Sequence, residues 1–257
     1  LLETLHSLDL KAQQVSELQA ALTRVEMTSK ADAVLRLNHE LLTHMQSIIA
    51  DTENLQLAQH LNLTPDELAF TARRIMNQTE MMVLLLQNTQ LAARVGDDEL
   101  YFQSSLSIPD LIKDCIRLFD DMAKNRGVSI KFQQSGADSD FIITADRSKL
   151  RVAFSNLIQN AVKYCYRNSE VLINLTTKDK LLFITITNIG VGIKSDEIRK
   201  IFELGYRGAL GQDKSRTGTG MGLFVARSIV QAHSGQIRVA ESISLENGNK
   251  TTFEVTI

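Results

Sequence analysis

The stretch Thr217-Gly218-Thr219-Gly220-Met221-Gly222-Leu223 decides how the second half of this 257-residue chain is interpreted. Three glycines alternate there with other residues, just before an apolar helical pattern that runs to about His233. Glycine at the start of a helix lets backbone N–H groups approach an anion closely, and the helix dipole favours phosphate at that end. The stretch therefore predicts a phosphate-binding helix N-terminus.

A second pair of glycines follows a predicted strand, in the run Asn188-Ile189-Gly190-Val191-Gly192-Ile193. Between the two glycine-rich runs lies a polar segment from Glu203 to Thr217, which contains Lys214 and Arg216 and is here termed the lid. The glycines match neither a P-loop nor a dinucleotide-binding pattern. Their order favours a different nucleotide pocket, closed by a mobile and cationic lid.

The third element is the segment from Asn156 to Tyr164, which reads Asn-Leu-Ile-Gln-Asn-Ala-Val-Lys-Tyr. Its two asparagines lie four residues apart, on one face of a predicted helix, and Lys163 continues that face. A carboxamide oxygen is a hard, neutral ligand that suits Mg²⁺ already bound to phosphates, and a lysine ammonium binds phosphate as a point charge. Paired asparagines alone are equally consistent with a helix surface, but their order relative to the glycines favours a binding function.

The composition divides the chain at about residue 96. All 13 glycines lie at or after Gly96, and Phe70 is the only aromatic residue before Tyr101, which is typical of long helices in the first part. In the second part the pattern predicts helices at 109–126, 146–167 and 221–233, and strands at 128–133, 141–145, 171–177, 181–188, 236–242 and 250–257. We therefore expect a helical part followed by an α/β sandwich.

Charge, hydropathy and cysteine content exclude several classes of protein. Lysine and arginine total 28 against 30 aspartate and glutamate, so the basic excess expected for direct nucleic-acid binding is missing. The longest apolar run, 81–86, is far shorter than the ~20 residues of a transmembrane helix. Cys115 and Cys165 lack metal-ligand spacing and are expected to be reduced core thiols, which suits the cytoplasm. Since residue 1 is leucine and no leader pattern follows, we expect a portion cut from a longer protein.

The helical part is predicted to contain a coiled coil and a helical hairpin. Apolar residues repeat every seven positions from Leu1 to Leu22 and predict a coiled coil over 1–33, with a single surface helix as the alternative. From Val34 an apolar stripe predicts a helix to about Leu61, and the run from Thr64 to Glu67 predicts the start of a second helix. Two antiparallel helices cannot bury both stripes alone, so we expect two copies to pair as a four-helix bundle.

His39 is predicted to face away from the stripe of the first helix. It lies roughly 160° from Leu41, the centre of that stripe, at about 100° per residue. Glu40 stands beside it and Thr43 follows one turn later, a combination that the other four histidines of the chain lack. An exposed imidazole beside a carboxylate and a hydroxyl is available for chemistry, although a lone helical histidine is more often only a solvated residue.

Taken together, these motifs resemble those of the sensor histidine kinases of two-component systems. The segments from Asn156 to Tyr164, Asn188 to Ile193, Ile201 to Phe202 and Gly218 to Leu223 resemble their N box, first glycine box, F box and second glycine box, and His39-Glu40-Leu41-Leu42-Thr43 resembles their H box. The resemblance implies a coiled-coil signalling helix (1–33), a dimerisation and histidine phosphotransfer domain (34–98) and a catalytic ATP-binding domain of the histidine kinase ATPase type (99–257).

The resemblance also implies an activity and its site residues. His39 would be phosphorylated from ATP with help from Glu40, and the phosphoryl group would pass to an aspartate of a response regulator, with Thr43 orienting water for dephosphorylation. Asn160 would hold Mg²⁺. The residues implied to bind ATP are Asn156, Asn160, Lys163, Tyr164, Asn188, Gly190, Gly192, Ile193, Arg216, Gly218, Gly220, Gly222 and Leu223. Implied partners are a second copy, a receiver domain and an upstream sensor domain, and inner-membrane anchoring of the longer protein stays open.

Three positions depart from patterns of the family and its relatives. Asn188 replaces an aspartate that accepts a hydrogen bond from the adenine amino group, so we expect looser adenine binding. His44 occupies the place of a helix-bending proline. Asn156 occupies the place of a glutamate found in ATP-hydrolysing relatives, and an amide cannot act as a general base. Two alternatives therefore remain: a degenerate scaffold that binds nucleotide weakly, and an ATPase of the same superfamily, which Asn156 disfavours.

Overall fold

The computed structural model describes residues 34–57, 64–93, 103–208, 218–245 and 248–257. The predicted coiled coil at 1–33, Arg216 and the lid from residue 209 onwards lie outside the described residues. The boundary predicted at 98 and 99 falls outside them as well.

Both helices of the predicted hairpin are present, and the predicted end of the first, near Leu61, lies outside the described residues. Its first helix, α1, is described over 34–56, and its second, α2, spans Pro65–Ala93. The side chain of Thr64 accepts a hydrogen bond from the Glu67 backbone N–H (3.3 Å), and the Glu67 carboxylate accepts one from the Thr64 backbone N–H (2.8 Å). This reciprocal pair satisfies N–H groups that have no partner within the helix, which is why α2 begins at Pro65.

The two helices are joined by polar as well as apolar contacts. Arg74 on α2 forms an ion pair with the buried Asp51 on α1 (3.2 Å), and Nδ1 of His44 lies 2.5 Å from Oε1 of Gln78. Among the stripe residues of α1, Leu37 is buried and Leu41 packs against it. Val34 and Met45, which the stripe prediction placed on the inner face, are instead exposed in a single chain.

The α/β part contains a five-stranded sheet in the order β2-β4-β5-β7-β6. Its strands are β2 (Ser129–Ser135), β4 (Glu170–Lys178), β5 (Leu181–Gly190), β6 (Gln236–Leu245) and β7 (Gly248–Thr256). β2 and β4 are parallel, and the other neighbours are antiparallel. Helices α3 (Ile108–Asn125), α4 (Arg147–Tyr164) and α5 (Gly222–Ala232) pack on the sheet. The predicted α/β sandwich is confirmed.

The hairpin and the α/β part share one apolar core. Met81 and Leu84 of α2 belong to the same buried cluster as Phe154 and Leu157 of α4. This packing holds α2 against the helices that cover the sheet, and it places the hairpin beside the glycine-rich segments.

One strand was not predicted, and two predicted boundaries need correction. The short strand β1 (Ser104–Ser107) was not predicted, and it pairs antiparallel with β3 (Ile142–Ala145) in a separate two-stranded sheet. The strand predicted from Phe141 begins one residue later, because Asp138–Phe141 forms a 3-10 turn. Serine-rich sequence carries little strand propensity, so β1 depends on its partner strand rather than on its own residues.

Helix α4 ends at Tyr164 and not at the predicted Arg167. Beyond Tyr164 the backbone leaves the helix to meet the end of β5: Val191 N–H donates to the Tyr164 carbonyl (3.2 Å) and Tyr166 N–H donates to the Ile189 carbonyl (3.0 Å). A Cβ on Gly190 would lie 1.8 Å from the Tyr164 carbonyl oxygen. Glycine at 190 is therefore required for this close approach of strand and helix end.

Candidate nucleotide site

A pocket of about 410 Å³ lies between the hairpin and the helix-covered side of the sheet. It is lined by most residues that the sequence implicated in catalysis or ATP binding, namely Glu40, Thr43, Asn156, Asn160, Lys163, Tyr164, Asn188, Gly192, Ile193, Gly218, Gly220, Gly222 and Leu223. These residues come from four separate segments of the chain. Their convergence supports the pocket as the candidate functional site.

Two predicted residues lie elsewhere. His39 is exposed, as predicted, and does not line the pocket, although its neighbour Glu40 does. Gly190 does not line the pocket either, since its role in the structure is the approach to Tyr164 described above. Adjacent residues of a helix point about 100° apart, so a pocket that receives Glu40 is not open to His39 in the same arrangement.

The glycines of the second run leave backbone open at one end of the pocket. Gly220 has φ +76° and a Cβ there would lie 2.7 Å from the carbonyl carbon of Gly205, whose N–H donates to the Gly220 carbonyl (3.1 Å). A Cβ on Gly218 would lie 2.4 Å from Nζ of Lys163. The lysine ammonium and the start of α5 at Gly222 thus meet at this end, which is suited to an anion such as phosphate.

Glu40 faces this cationic end from the hairpin. Its carboxylate lies 3.8 Å from the position that a Cβ on Gly218 would take. Burial raises the pKa of the Glu40 carboxyl above its ordinary value of 4.5, an effect only partly offset by Lys163, then by His44 and Arg207. A carboxyl with a raised pKa is a better proton acceptor near neutral pH, because its pKa lies closer to the working pH.

The raised pKa predicts a pH-dependent effect of replacing Glu40 on stability. Since the folded protein disfavours the carboxylate, wild-type stability due to this group is complete below the unfolded pKa of 4.5 and falls as the pH rises through the higher folded pKa. Glu40→Gln is therefore expected to raise the free energy of unfolding above pH 4.5 and to have a diminishing effect below it. Urea unfolding measured from pH 4 to pH 8 tests this.

Glu67→Gln is the matched control, because hydrogen bonds from Thr64 lower the pKa of Glu67 and reverse the sign. That variant is expected to lose stability above pH 4.5. An effect of Glu40→Gln that grows towards acid pH would contradict the orientation of Glu40 into the pocket.

The pocket wall formed by β5 and β7 is uncharged. Asn188 and Thr251 lie directly opposite each other on β5 and β7, and each is 3% exposed. The Thr251 hydroxyl has no hydrogen-bond partner among the described residues. Phe253, which packs edge-to-face against Phe202 with ring centroids 6.2 Å apart, continues this wall. Buried polar groups beside aromatic and aliphatic side chains suit a flat heteroaromatic base.

Several residues of the pocket wall were not predicted. Among them are His44, Met81, Leu85 and Asn88 of the hairpin, and Arg126, Glu197, Tyr206, Arg207 and Thr251 of the α/β part. Tyr206 O–H donates to Glu197 Oε1 (3.2 Å), which fixes the described beginning of the lid. The proximity of Tyr206 and Arg207 to the lid glycines was a usable sequence signal, whereas Asn88 and Thr251 carry no local motif.

Asn156 pairs with the hairpin. Its amide N–H donates to Oδ1 of Asn88 (2.7 Å), and the Asn88 amide donates back to Oδ1 of Asn156 (2.8 Å), with both residues buried. The predicted direct contact of Asn156 with ATP stays a prediction. The two reciprocal hydrogen bonds join α2 to α4 beside the pocket.

This pair predicts a measurable coupling. Asn88→Ala leaves the buried Asn156 amide without its partner and is expected to lower the free energy of unfolding by about 1–3 kcal/mol. In the double variant with Asn156→Ala the losses should not add, with an interaction energy of about 1 kcal/mol or more. Chemical denaturation of the four proteins of the cycle measures it, and strictly additive losses would show that the two amides do not interact.

Comparison with known proteins bears on this site. Residues 145–257 match the family "Histidine kinase-, DNA gyrase B-, and HSP90-like ATPase". Sensor histidine kinase WalK of Bacillus subtilis is 27% identical over 236 residues, covering 89% of this chain and 36% of WalK. The histidine-protein kinase BaeS of Escherichia coli is 25% identical over 231 residues, covering 90% of this chain and 48% of BaeS.

The chain is related to the sensor histidine kinases. It spans less than half the length of WalK and of BaeS. Its fold is that of solved histidine kinases. Full-length ShkA in complex with AMPPNP superposes with a TM-score of 0.56 at 20% identity, covering 88% of this chain and 45% of ShkA. ThkA in complex with response regulator TrrA superposes with a TM-score of 0.52 at 20% identity, covering 87% of this chain and 60% of that chain. Within the described residues, none of the helices combines the length and apolar character that a membrane crossing requires.

Proposed function

We propose that this chain is the core of a sensor histidine kinase, which phosphorylates His39 from ATP and passes the phosphoryl group to an aspartate of a response regulator. The observation that carries the proposal is the meeting of Glu40, the neighbour of His39, with Lys163 and the glycines at one end of the pocket. A phosphoryl donor bound at that end would be delivered to the helix that carries His39.

The pocket fits ATP in both of its parts. The wall on β5 and β7 offers a purine the Asn188 amide and the Thr251 hydroxyl, which has no partner among the described residues, and the opposite end offers Lys163 and glycine backbone to phosphates. Asn160, half-buried on the pocket wall one turn after Asn156, would hold Mg²⁺ through its carboxamide oxygen. Mg²⁺ bound there together with phosphate oxygens would offset the negative charge of the transferring group.

In the proposed reaction a neutral nitrogen of His39 attacks the γ-phosphorus. An N–P bond forms, the bond from phosphorus to the bridging oxygen breaks, and ADP leaves. Glu40 accepts a proton from the imidazole, for which its raised pKa suits it. Because Glu40 and not His39 lines the pocket, α1 or the catalytic part must turn by about a quarter of a helical turn or more before transfer.

Thr43 is proposed to take part in a second reaction, dephosphorylation of the response regulator, by orienting the attacking water. Its hydroxyl donates to the His39 carbonyl (2.8 Å) and the residue is exposed beside the pocket. That hydrogen bond holds the hydroxyl one turn from the proposed phosphorylation site. The Asn156 amide, engaged by Asn88, gives no support to the alternative of a water-activating ATPase.

A second copy of the chain is proposed as partner of the hairpin. Apolar side chains remain exposed along both helices, namely Val34, Leu35, Leu42, Met45 and Ile49 on α1 and Leu68, Phe70, Met76, Val83 and Leu86 on α2. An apolar face of this extent is unusual on a monomer, and a four-helix bundle of two hairpins would bury it. A receiver domain, an upstream sensor domain and a cytoplasmic position of this portion complete the proposal.

Incubation with radiolabelled ATP and Mg²⁺ tests the function. The expected product is a labelled protein whose label is lost in acid and kept in base, as a phosphoramidate behaves. A label that survives acid would indicate phosphorylation of a hydroxyl group, and steady release of phosphate without labelled protein would indicate an ATPase. Either result would contradict the proposal.

A further inference from the structure

Asn188 ends a row of buried side chains on the helix-facing side of β5. Leu182, Ile184 and Ile186 precede it on the same side, and all four are buried. A polar residue that ends an apolar row has to find a hydrogen-bond partner or face a ligand. Since Asn188 lines the pocket, its carboxamide is placed to meet whatever occupies the pocket at this wall.

The Asn188 carboxamide lines the pocket beside a polar group that has no partner. The Thr251 hydroxyl, directly opposite Asn188 on β7, is buried and has no hydrogen-bond partner among the described residues. An unpartnered hydroxyl and a pocket-lining amide on adjacent strands indicate a site for the hydrogen-bonding edge of a base.

The chemistry of these two groups differs from that of a carboxylate. An amide carries both a donor and an acceptor, and a hydroxyl can be either, whereas an ionised carboxylate only accepts. Adenine presents an amino donor beside a ring-nitrogen acceptor. Guanine presents a carbonyl acceptor beside a ring N–H donor. Rotation of the Asn188 amide by 180° exchanges its oxygen and nitrogen and matches either edge.

We propose that Asn188 and Thr251 form a purine site with little preference for adenine over guanine, so that GTP as well as ATP binds. The inference rests on the proposed nucleotide-binding function and specifies its substrate class. An aspartate at position 188 would favour adenine, because it can accept from the adenine amino group but has no donor for the guanine carbonyl.

Competition against a fluorescent ADP analogue, measured with Mg²⁺ on the whole chain, tests this. In the wild type, ATP and GTP are expected to displace the analogue with dissociation constants within about tenfold of each other. In Asn188→Asp the ratio is expected to move towards ATP by about tenfold or more, since a charged acceptor strengthens one pairing and repels the other. Thr251→Val should weaken both purine nucleotides to a similar extent.

Asn174→Asp is the matched control, because Asn174 lies on β4 of the same sheet and does not line the pocket. It should leave the ratio unchanged. The wild-type ratio decides the matter even where Asn188→Asp does not fold, as judged by thermal unfolding. ATP binding with GTP more than about a hundredfold weaker would overturn the inference. Equal displacement by UTP and ATP would also overturn the inference, because it would show that the site does not distinguish a purine from a pyrimidine base.

Failure of the proposed function can be distinguished from failure of this inference. If no nucleotide displaces the analogue, or the analogue itself does not bind, the nucleotide-binding function falls and this inference falls with it. If ATP binds and labels the protein while GTP is rejected, only the inference falls.

Discussion

Replacing His39 by glutamine is expected to abolish incorporation of label from ATP. Glutamine retains the length and polarity of the side chain but has no nitrogen lone pair able to attack phosphorus, so no N–P bond can form. Because His39 is exposed and does not line the pocket, the substitution should leave both the free energy of unfolding and ATP affinity unchanged within experimental error. Labelling, nucleotide competition and denaturation measured on the same preparation separate loss of the acceptor from loss of the fold.

His44→Gln is the control that the structure makes necessary. His44 and not His39 lines the pocket in the described arrangement, and its Nδ1 is held at 2.5 Å from Gln78. If the assignment of His39 is correct, His44→Gln should keep labelling within about tenfold of the wild type, since the substitution removes a contact and not the acceptor. Labelling that survives in His39→Gln and disappears in His44→Gln would reverse the assignment and make the docked arrangement the productive one.

Replacing Asn160 by alanine is expected to lower the rate of autophosphorylation by about a hundredfold or more. The expected loss has an electrostatic cause: under the proposed role of Asn160, Mg²⁺ would no longer be positioned at the phosphates, and charge that develops during transfer would not be offset. Asn160 is only half-buried on α4, so the fold should survive. The initial rate of labelling at saturating ATP, titrated with Mg²⁺, measures the effect.

Asn160→Asp tests whether the oxygen is what matters, because aspartate also offers an oxygen ligand to Mg²⁺. Partial activity in Asn160→Asp, restored by additional Mg²⁺, is expected where Asn160→Ala is inactive. Gln159→Ala serves as a neighbouring control on the same helix and the same pocket wall. Equal rates in Asn160→Ala and in the wild type would exclude Asn160 as the metal ligand.

Much of the fold follows from local sequence. The start of α2 at Pro65 was predicted from the Thr64-to-Glu67 run, because the capping hydrogen bonds join residues three apart. The sheet strands other than β1 were predicted from their apolar runs and turn residues. The strand β1 and the end of α4 at Tyr164 were not, since both depend on pairing with residues far away in the chain.

The candidate site divides in the same way. Spacing in the sequence predicted the glycines at the start of α5 and the asparagines four residues apart on α4 as site residues. The structure brings them into one pocket. Two pairings could not be predicted from spacing, namely Asn88 with Asn156 and Thr251 with Asn188. No sequence motif joins residues that lie more than sixty positions apart.

By itself the sequence determined which chemical groups this protein has: an imidazole beside a carboxylate on a helix, amides and a lysine on another, and glycines where phosphate can approach backbone. Only the tertiary structure decided which of them meet. Leu37 of α1 packs in a buried cluster with Leu85 of α2 and Met221, and in this arrangement Glu40 and His44 line the pocket while His39 stays exposed. Helical periodicity fixes the angle between neighbouring side chains, but the face that meets the pocket is chosen by long-range burial of apolar surface.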